Sequence, residues 1–218
     1  MRFYFDGDSF TWGGGLDIVF DVDPTKYRWS KIVSDYFGAE EINLSKRGCS
    51  NDRVLRQFFA EGRNFDEYDF IFIQLTCAFR SEFWSDEYNK WFTYSLPIEK
   101  NKRFDKDRTV KQRIDFLEKQ RKRFGQEYDD WLTYRAVNIL SDTGAMVNES
   151  VAYNSIKSHL ELIGKPFFIS SLTSYNHIKY DFNFKKENYA RISYDGHPSI
   201  LGHKQIARRI IHKIEDKL

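Results

Sequence analysis

Apolar and polar residues alternate along this chain with two different periods, and the changes of period mark out its elements. Arg2 to Asp6 is a short aromatic run (Phe3, Tyr4, Phe5) that stops at Gly7. It predicts a buried strand ending in a tight turn. Pro24 to Phe37 carries apolar residues at helical spacing (Tyr27, Ile32, Val33, Tyr36, Phe37) and stops at Gly38, which predicts one helix. Glu41 to Ser45 predicts a second strand. Asn51 then caps a helix from Asp52 to about Gly62, with Val54, Leu55, Phe58 and Phe59 on its inner face. Tyr68 to Leu75 is nearly unbroken in its apolar character, as expected of a parallel strand covered on both faces.

From about Glu82 to Gly164 the pattern reads as a helical insertion with polar connections. Trp84, Tyr88, Trp91, Phe92 and Tyr94 recur there at nearly helical spacing, and further helices are predicted over 110–124 and 128–140. Asn148 or Ser150 caps another that runs to Ile163. Pro166 to Ser170 is the next strand, and Ser199 to Lys217 a closing amphipathic helix. Strands alternating with helices over this length predict a three-layer α/β fold in a single domain spanning 1–218. No internal repeat is present.

Composition narrows the function classes. Of 218 residues, 41% are hydrophobic, enough for a folded core rather than a disordered chain. The 34 Lys and Arg nearly cancel the 32 Asp and Glu, and a net charge of +2 does not draw the chain to nucleic acid or to an anionic membrane. The basic run around Lys111, Arg113, Lys119, Arg121, Lys122 and Arg123 is interrupted by Asp115, Glu118 and Glu127, which reads as a solvated helix face. Two cysteines, Cys49 and Cys77, make neither a disulfide scaffold nor a Cys-rich zinc site. The first eight residues lack the pattern of a signal peptide, and no run of about 18 apolar residues occurs. These features predict a cytoplasmic protein without a membrane span.

Candidate chemistry lies at the two ends of the sequence. Gly7-Asp8-Ser9 directly follows the first strand, and ligands of parallel α/β sheets bind beyond the carboxyl ends of the strands. A serine there is placed to act as a nucleophile. Late in the chain, Tyr194-Asp195-Gly196-His197-Pro198-Ser199 sits just ahead of the closing helix. An activated serine needs a base within hydrogen-bond reach and a third group to fix that base. Asp195 and His197 are residue types for those tasks. Each feature alone also fits an ordinary turn or cap; the combination is the rarer arrangement. A metal site built from Asp195, His197 and His203 with Asp6 or Asp8 has no supporting spacing, so no metal is expected. His203 reads as a helix-start residue that packs or caps.

Gly7-Asp8-Ser9 with Thr11 and Gly13 resembles the first sequence block of the SGNH (GDSL-type) hydrolases, and Asp195-Gly196-His197-Pro198 with Gly202-His203 resembles their last. Gly48, in Lys46-Arg47-Gly48-Cys49, matches the glycine that the family carries after its second strand. The resemblance implies a flavodoxin-like sheet of about five parallel strands. It also implies Ser9 as nucleophile, His197 as general base and Asp195 as its orienting acid, with backbone N–H groups of Ser9 and Gly48 as oxyanion donors. Two departures stand out. The family's Gly-x-Asn-Asp block after the third strand is replaced by Gln74-Leu75-Thr76-Cys77-Ala78-Phe79-Arg80, so Thr76, Gln74 or Arg80 is expected to supply the missing donor. The spacing Asp195-x-His197 is also one residue shorter than the family's.

The resulting expectation is a serine esterase without a cofactor, acting through an acyl-enzyme on a small-molecule or glycan ester and removing a small acyl group from a carbohydrate or similar polar carrier rather than a long-chain lipid. The aromatic insertion serves as core packing or as a sugar-stacking wall over Ser9. The alternative is a catalytically weak or inactive binding module on the same fold, favoured by the altered third block.

Overall fold

The computed structural model describes residues 1–60, 63–76, 80–86, 89–95, 142–172, 178–184, 187–192 and 196–217. The helices expected over 110–124 and 128–140 lie outside these residues. In chain order the elements are β1 (Arg2–Asp6), α1 (Ser9–Trp12), α2 (Leu16–Phe20), α3 (Pro24–Tyr27), α4 (Trp29–Tyr36), β2 (Glu40–Asn43) and α5 (Asn51–Phe58). They continue with β3 (Phe70–Leu75), β4 (Arg80–Ser85), β5 (Lys90–Ser95), α6 (Asp142–Ile163), β6 (Phe167–Ser171), β7 (Phe182–Asn183) and α7 (Ile200–Glu215).

Five strands form one parallel sheet in the order β2-β1-β3-β6-β7. This is the flavodoxin-like arrangement, in which the strand order reverses beside β1 and opens a crevice at the carboxyl ends of β1 and β3. The alternation of side chains divides the core by chemistry. Phe3 and Phe5 of β1 and Phe70 and Phe72 of β3 face α4 and α7, where they meet Trp29, Val33, Ile206, Ile210 and Ile214. Tyr4, Ile71, Ile73 and Leu75 face the other way, against Val54 and Phe58 of α5 and Ala152, Ile156 and Leu160 of α6. Every residue of β3 is buried, as its continuous apolar run requires of a central parallel strand.

Four elements differ from the sequence expectation; in the simplest case α5 is capped by Ser50, which accepts from Arg53 N–H, and not by Asn51. The helix expected over 24–37 is two helices, broken at Arg28, which is extended (ψ 150°). That turn carries the Arg28 guanidinium to Glu41, with which it forms two hydrogen bonds of 2.9 and 2.8 Å at a nearly buried site. The first part of the expected helical insertion is an antiparallel hairpin, β4–β5, pairing Trp84 with Trp91 and Glu82 with Thr93. β-branched and aromatic residues favour the pleated surface, and Asn89 adopts the left-handed conformation (φ 47°) that few residues other than Gly and Asn tolerate. Finally, α6 begins at Asp142, upstream of the proposed caps. Ser150 lies inside it and donates back to the Met146 carbonyl at 2.8 Å. Among the described residues of 82–95 there is no helix; the helical character of the described insertion is confined to α6.

Helix α7 closes the domain against α4, with Ser199 as its cap accepting from Gly202 N–H at 3.1 Å. Gly202 lies directly on the segment that precedes it: a Cβ there would stand 2.0 Å from the Ala190 carbonyl oxygen. No rotamer relieves a clash between backbone and Cβ, so Gly202→Ala forces α7 outward. The expected loss is at least about 1–3 kcal/mol of stability, the usual cost of overpacking, read from the urea midpoint. An unchanged midpoint would refute this close packing.

Candidate active site

A buried carboxylate organises the carboxyl end of the sheet. Asp8 caps α1 by accepting from Phe10 N–H at 2.9 Å, and the same Oδ1 accepts from the Gln74 amide at 2.6 Å. Its Oδ2 accepts from the Thr76 hydroxyl at 2.7 Å and from Arg80 Nη1 at 3.2 Å. Asp8 is fully buried, and such a charge is tolerated only with this degree of hydrogen bonding. Gln74 is also anchored through its carbonyl oxygen, which accepts from Thr11 N–H at 3.1 Å and from the Thr11 hydroxyl. Two of the three free N–H groups of the first turn of α1 are thereby satisfied. That of Ser9 has no protein acceptor among the described residues.

Ser9 opens α1 and is nearly buried. Its Oγ lies 2.8 Å from His197 Nε2, a contact between residues 188 positions apart. His197 is held by backbone pairing at the base of its loop: Ile192 N–H donates to the His197 carbonyl at 2.7 Å, and Arg191 bridges Pro198. Phe10 packs on the imidazole, with ring centroids 4.9 Å apart. Gly14 lies beneath the ring, where a Cβ would stand 2.9 Å from Cδ2 and 3.0 Å from Nε2. The middle residue of the Gly13-Gly14-Gly15 run is thus part of the geometry that lets histidine reach serine.

The neighbouring ionisable groups have other tasks. His203 is fully buried, and its Nδ1 accepts from Trp29 N–H, the first of α4, at 3.2 Å. It caps a neighbouring helix. Burial, and secondarily the proximity of His197, lowers its pKa to about 3, so the ring is neutral. Burial pushes the Asp6 carboxyl up to about 6 despite Arg53 at 3.0 Å. Burial likewise raises the Cys49 thiol far above its usual range, and its Sγ donates to the Gly7 carbonyl at 3.1 Å. That makes Cys49 a small packed residue rather than a reactive one. Among the described residues no three His, Cys, Asp or Glu side chains are grouped to hold a metal ion.

Of the residues singled out in the sequence, Ser9 and His197 are brought together. Gly48 occupies an exposed turn after β2 that is fastened beside Gly7 through Lys46 N–H, at 3.0 Å from the Gly7 carbonyl. Arg80 stands at the end of the Asp8 network and is 26% exposed, with Nε and Nη2 outside that network. Gln74 and Thr76, expected to face an oxyanion, are fully buried and direct their donors at Asp8 instead. The physical reason is the charge of Asp8, which outcompetes an open crevice for nearby N–H and O–H groups. Asp195 lies outside the described residues. Sequence reasoning overlooked Gly14, whose signal was the triple glycine, and gave Asn51 the task of a helix cap, whereas its amide oxygen accepts from Thr76 N–H at 2.7 Å and fixes the end of β3.

No family model matches the sequence, and no curated protein matches it either. Several solved structures are similar to it. An acetyl xylan esterase (Est2A) from Butyrivibrio proteoclasticus is 19% identical with a TM-score of 0.45, covering 99% of this chain and 64% of its own. A family two carbohydrate esterase from Clostridium thermocellum, in complex with cellohexaose, is 15% identical with a TM-score of 0.42. It covers 99% of this chain, which spans 64% of the esterase. A G-D-S-L family lipolytic protein from Desulfitobacterium hafniense is 14% identical with a TM-score of 0.40, covering 97% and 98% of the two chains.

The buried imidazole has a consequence for acid stability. His203 is neutral in the folded chain but takes up a proton below about pH 6.5 when unfolded, so its contribution is intact above that pH. It is lost as pH falls toward 3. Asp6 acts in the opposite sense, since its protonation near pH 6 favours the folded state. His203→Gln removes only the first effect. The stability difference between variant and wild type should therefore shift toward the variant by several kcal/mol, on the order of 4, between pH 7 and pH 3. Parallel urea-midpoint profiles would refute a neutral, buried His203.

Proposed function

We propose that this chain is a serine hydrolase of ester bonds, and the observation that carries the proposal is the 2.8 Å contact between Ser9 Oγ and His197 Nε2. That distance is within the range of a nucleophile and its general base. Ser9 Oγ attacks the ester carbonyl carbon while its proton passes to Nε2. The tetrahedral intermediate collapses, the carbon–oxygen bond to the alcohol breaks, and His197 returns the proton to the departing alcohol. Water then repeats the sequence on the acyl-enzyme and releases the acid and Ser9. Asp195 is the proposed orienting acid for His197.

The oxyanion is proposed to meet the backbone N–H groups of Ser9 and Gly48. With Gln74 and Thr76 turned to Asp8, the side-chain donor left near the end of β3 among the described residues is Arg80, the first residue of β4, whose Nε and Nη2 lie outside the Asp8 network. Its planar, permanently charged fork suits a developing negative oxygen. This charged wall favours a small acyl group on a polar carrier, such as a carbohydrate, over a long-chain lipid. A second reading, a binding module on the same fold, is favoured by the engagement of Gln74 and Thr76 with Asp8, since binding needs no oxyanion hole.

A fluorophosphonate probe separates the two readings, because it labels only an activated serine. The hydrolase reading expects labelling of the wild type and none of Ser9→Ala. Turnover of 4-nitrophenyl acetate should fall on the order of 10⁴-fold or more in Ser9→Ala and His197→Ala, with folding intact. Wild-type turnover in folded Ser9→Ala would overturn it.

Gly14 provides a sharper test of the geometry. Gly14→Ala keeps every reacting residue but sets a methyl group against the imidazole and 2.9 Å from the Ser9 carbonyl oxygen, so the ring must move. Misplacement of about 1 Å costs on the order of 100-fold in rate, so kcat should fall by about that factor in the folded variant, with some loss in the thermal midpoint from the backbone contact. A fully active Gly14→Ala would exclude His197, in this position, as the base.

A further inference from the structure

The β4–β5 hairpin carries an exposed feature that the hydrolytic machinery does not use. Trp84 and Trp91 are cross-strand neighbours that meet edge to face, with ring centroids 5.6 Å apart and 63° between their planes, and remain 43% and 42% exposed. Both are fixed in place. The Trp84 indole N–H donates to Asp86 at 2.8 Å, and the Arg56 guanidinium lies 4.4 Å from the centre of the Trp91 ring. Arg56 is itself held by Glu82 at 2.8 Å, a carboxylate only 3% exposed. Rings that are already ordered lose little freedom when something stacks on them.

Strand alternation puts Arg80, Glu82 and Trp84 on one face of the hairpin. That face therefore runs from the Asp8 network, which Arg80 touches, out to the tryptophan pair. Four residues at about 3.3 Å each separate Arg80 from Trp84, so the pair lies roughly 13 Å along the strand from the crevice. A single acylated sugar at Ser9 does not reach that far, whereas an oligomer does. The area also discriminates between ligands. Two indoles of about 250 Å² each, exposed by two-fifths, offer about 200 Å². A protein partner needs about 800 Å² on each side. A flat apolar ring face edged by charged and hydrogen-bonding groups suits a sugar ring, whose C–H groups form one face and whose hydroxyls surround it.

We propose that Trp84 and Trp91 form a subsite for a remote sugar residue of an oligosaccharide whose ester-bearing residue lies at Ser9. The inference rests on the hydrolase reading only for the second half of that statement; the binding half stands by itself. Such a subsite acts through uniform binding, lowering KM for long substrates with little change in kcat.

The test uses the full chain and two independent measurements. Calorimetric titration with unesterified cello-, xylo-, manno- and chitohexaose reads the subsite, and turnover of 4-nitrophenyl acetate, too short to reach it, reads the reacting centre. The expected result is measurable binding of at least one hexaose, weakened tenfold or more in Trp84→Ala and largely retained in Trp84→Tyr. Turnover of the aryl ester should stay within twofold in both variants, which also reports that the hairpin base is intact. No binding of any hexaose, or binding indifferent to both Trp84→Ala and Trp91→Ala, overturns the subsite even if the ester is hydrolysed. Tryptophan-dependent hexaose binding by a wild-type chain inert toward the aryl ester supports the subsite and defeats the hydrolase reading alone.

Discussion

The Asp8 carboxylate is the interaction on which the carboxyl end of the sheet depends. An ionised group with no solvent contact is destabilising by several kcal/mol unless surrounding donors compensate. Here four donors do so, from α1, from β3 and the residue after it, and from the start of β4. Those elements are consequently fixed to one point. The direction of α1 follows, because its cap is the same carboxylate, and the orientation of the Gln74 amide follows, because its nitrogen is drawn to Asp8 and its oxygen is left for Thr11. The base of the aromatic hairpin is located by the same charge through Arg80.

Among the described residues, the histidine side of the crevice depends on close approach. Gly202 lets α7 lie against the Ala190 carbonyl, and Gly14 lets the His197 ring lie over the end of α1. Trp29 links the two regions, since its backbone N–H reaches His203 at 3.2 Å and its indole N–H reaches the Phe10 carbonyl at 3.0 Å. Phe10 in turn packs on His197. The electrostatically fixed serine and the closely packed histidine meet at the 2.8 Å contact between Ser9 Oγ and His197 Nε2.

Much of this architecture was legible in the sequence where local pattern and burial agree. β1 and β3 are continuous apolar runs and became the two central strands; α7 has a serine cap and a clear inner face, and its bounds moved by only a residue or two. The hairpin was not legible, because aromatic residues four, three, one and two positions apart satisfy a helical period about as well as an alternating one. Asn89 was the signal that distinguishes them. Within the crevice, the residue types at positions 9 and 197 were readable from their place ahead of helices. The roles of Gln74 and Thr76 were not, since the side-chain direction at the end of a strand depends on a charge that arrives from another part of the chain. β7 was too short to show any period, with two residues in pairing.

The separation of Ser9 from His197 by 188 positions affects how the protein is made. β1 and α1 leave the ribosome early, yet the imidazole that completes the pair belongs to the loop that docks with α7. During synthesis Ser9 is therefore an ordinary alcohol, carried on a growing chain whose neighbours are still unassembled. The pair cannot form before residue 197 has been made and its loop has docked on α1. In a newly made molecule, the contact requires two distant parts of this fold to have met.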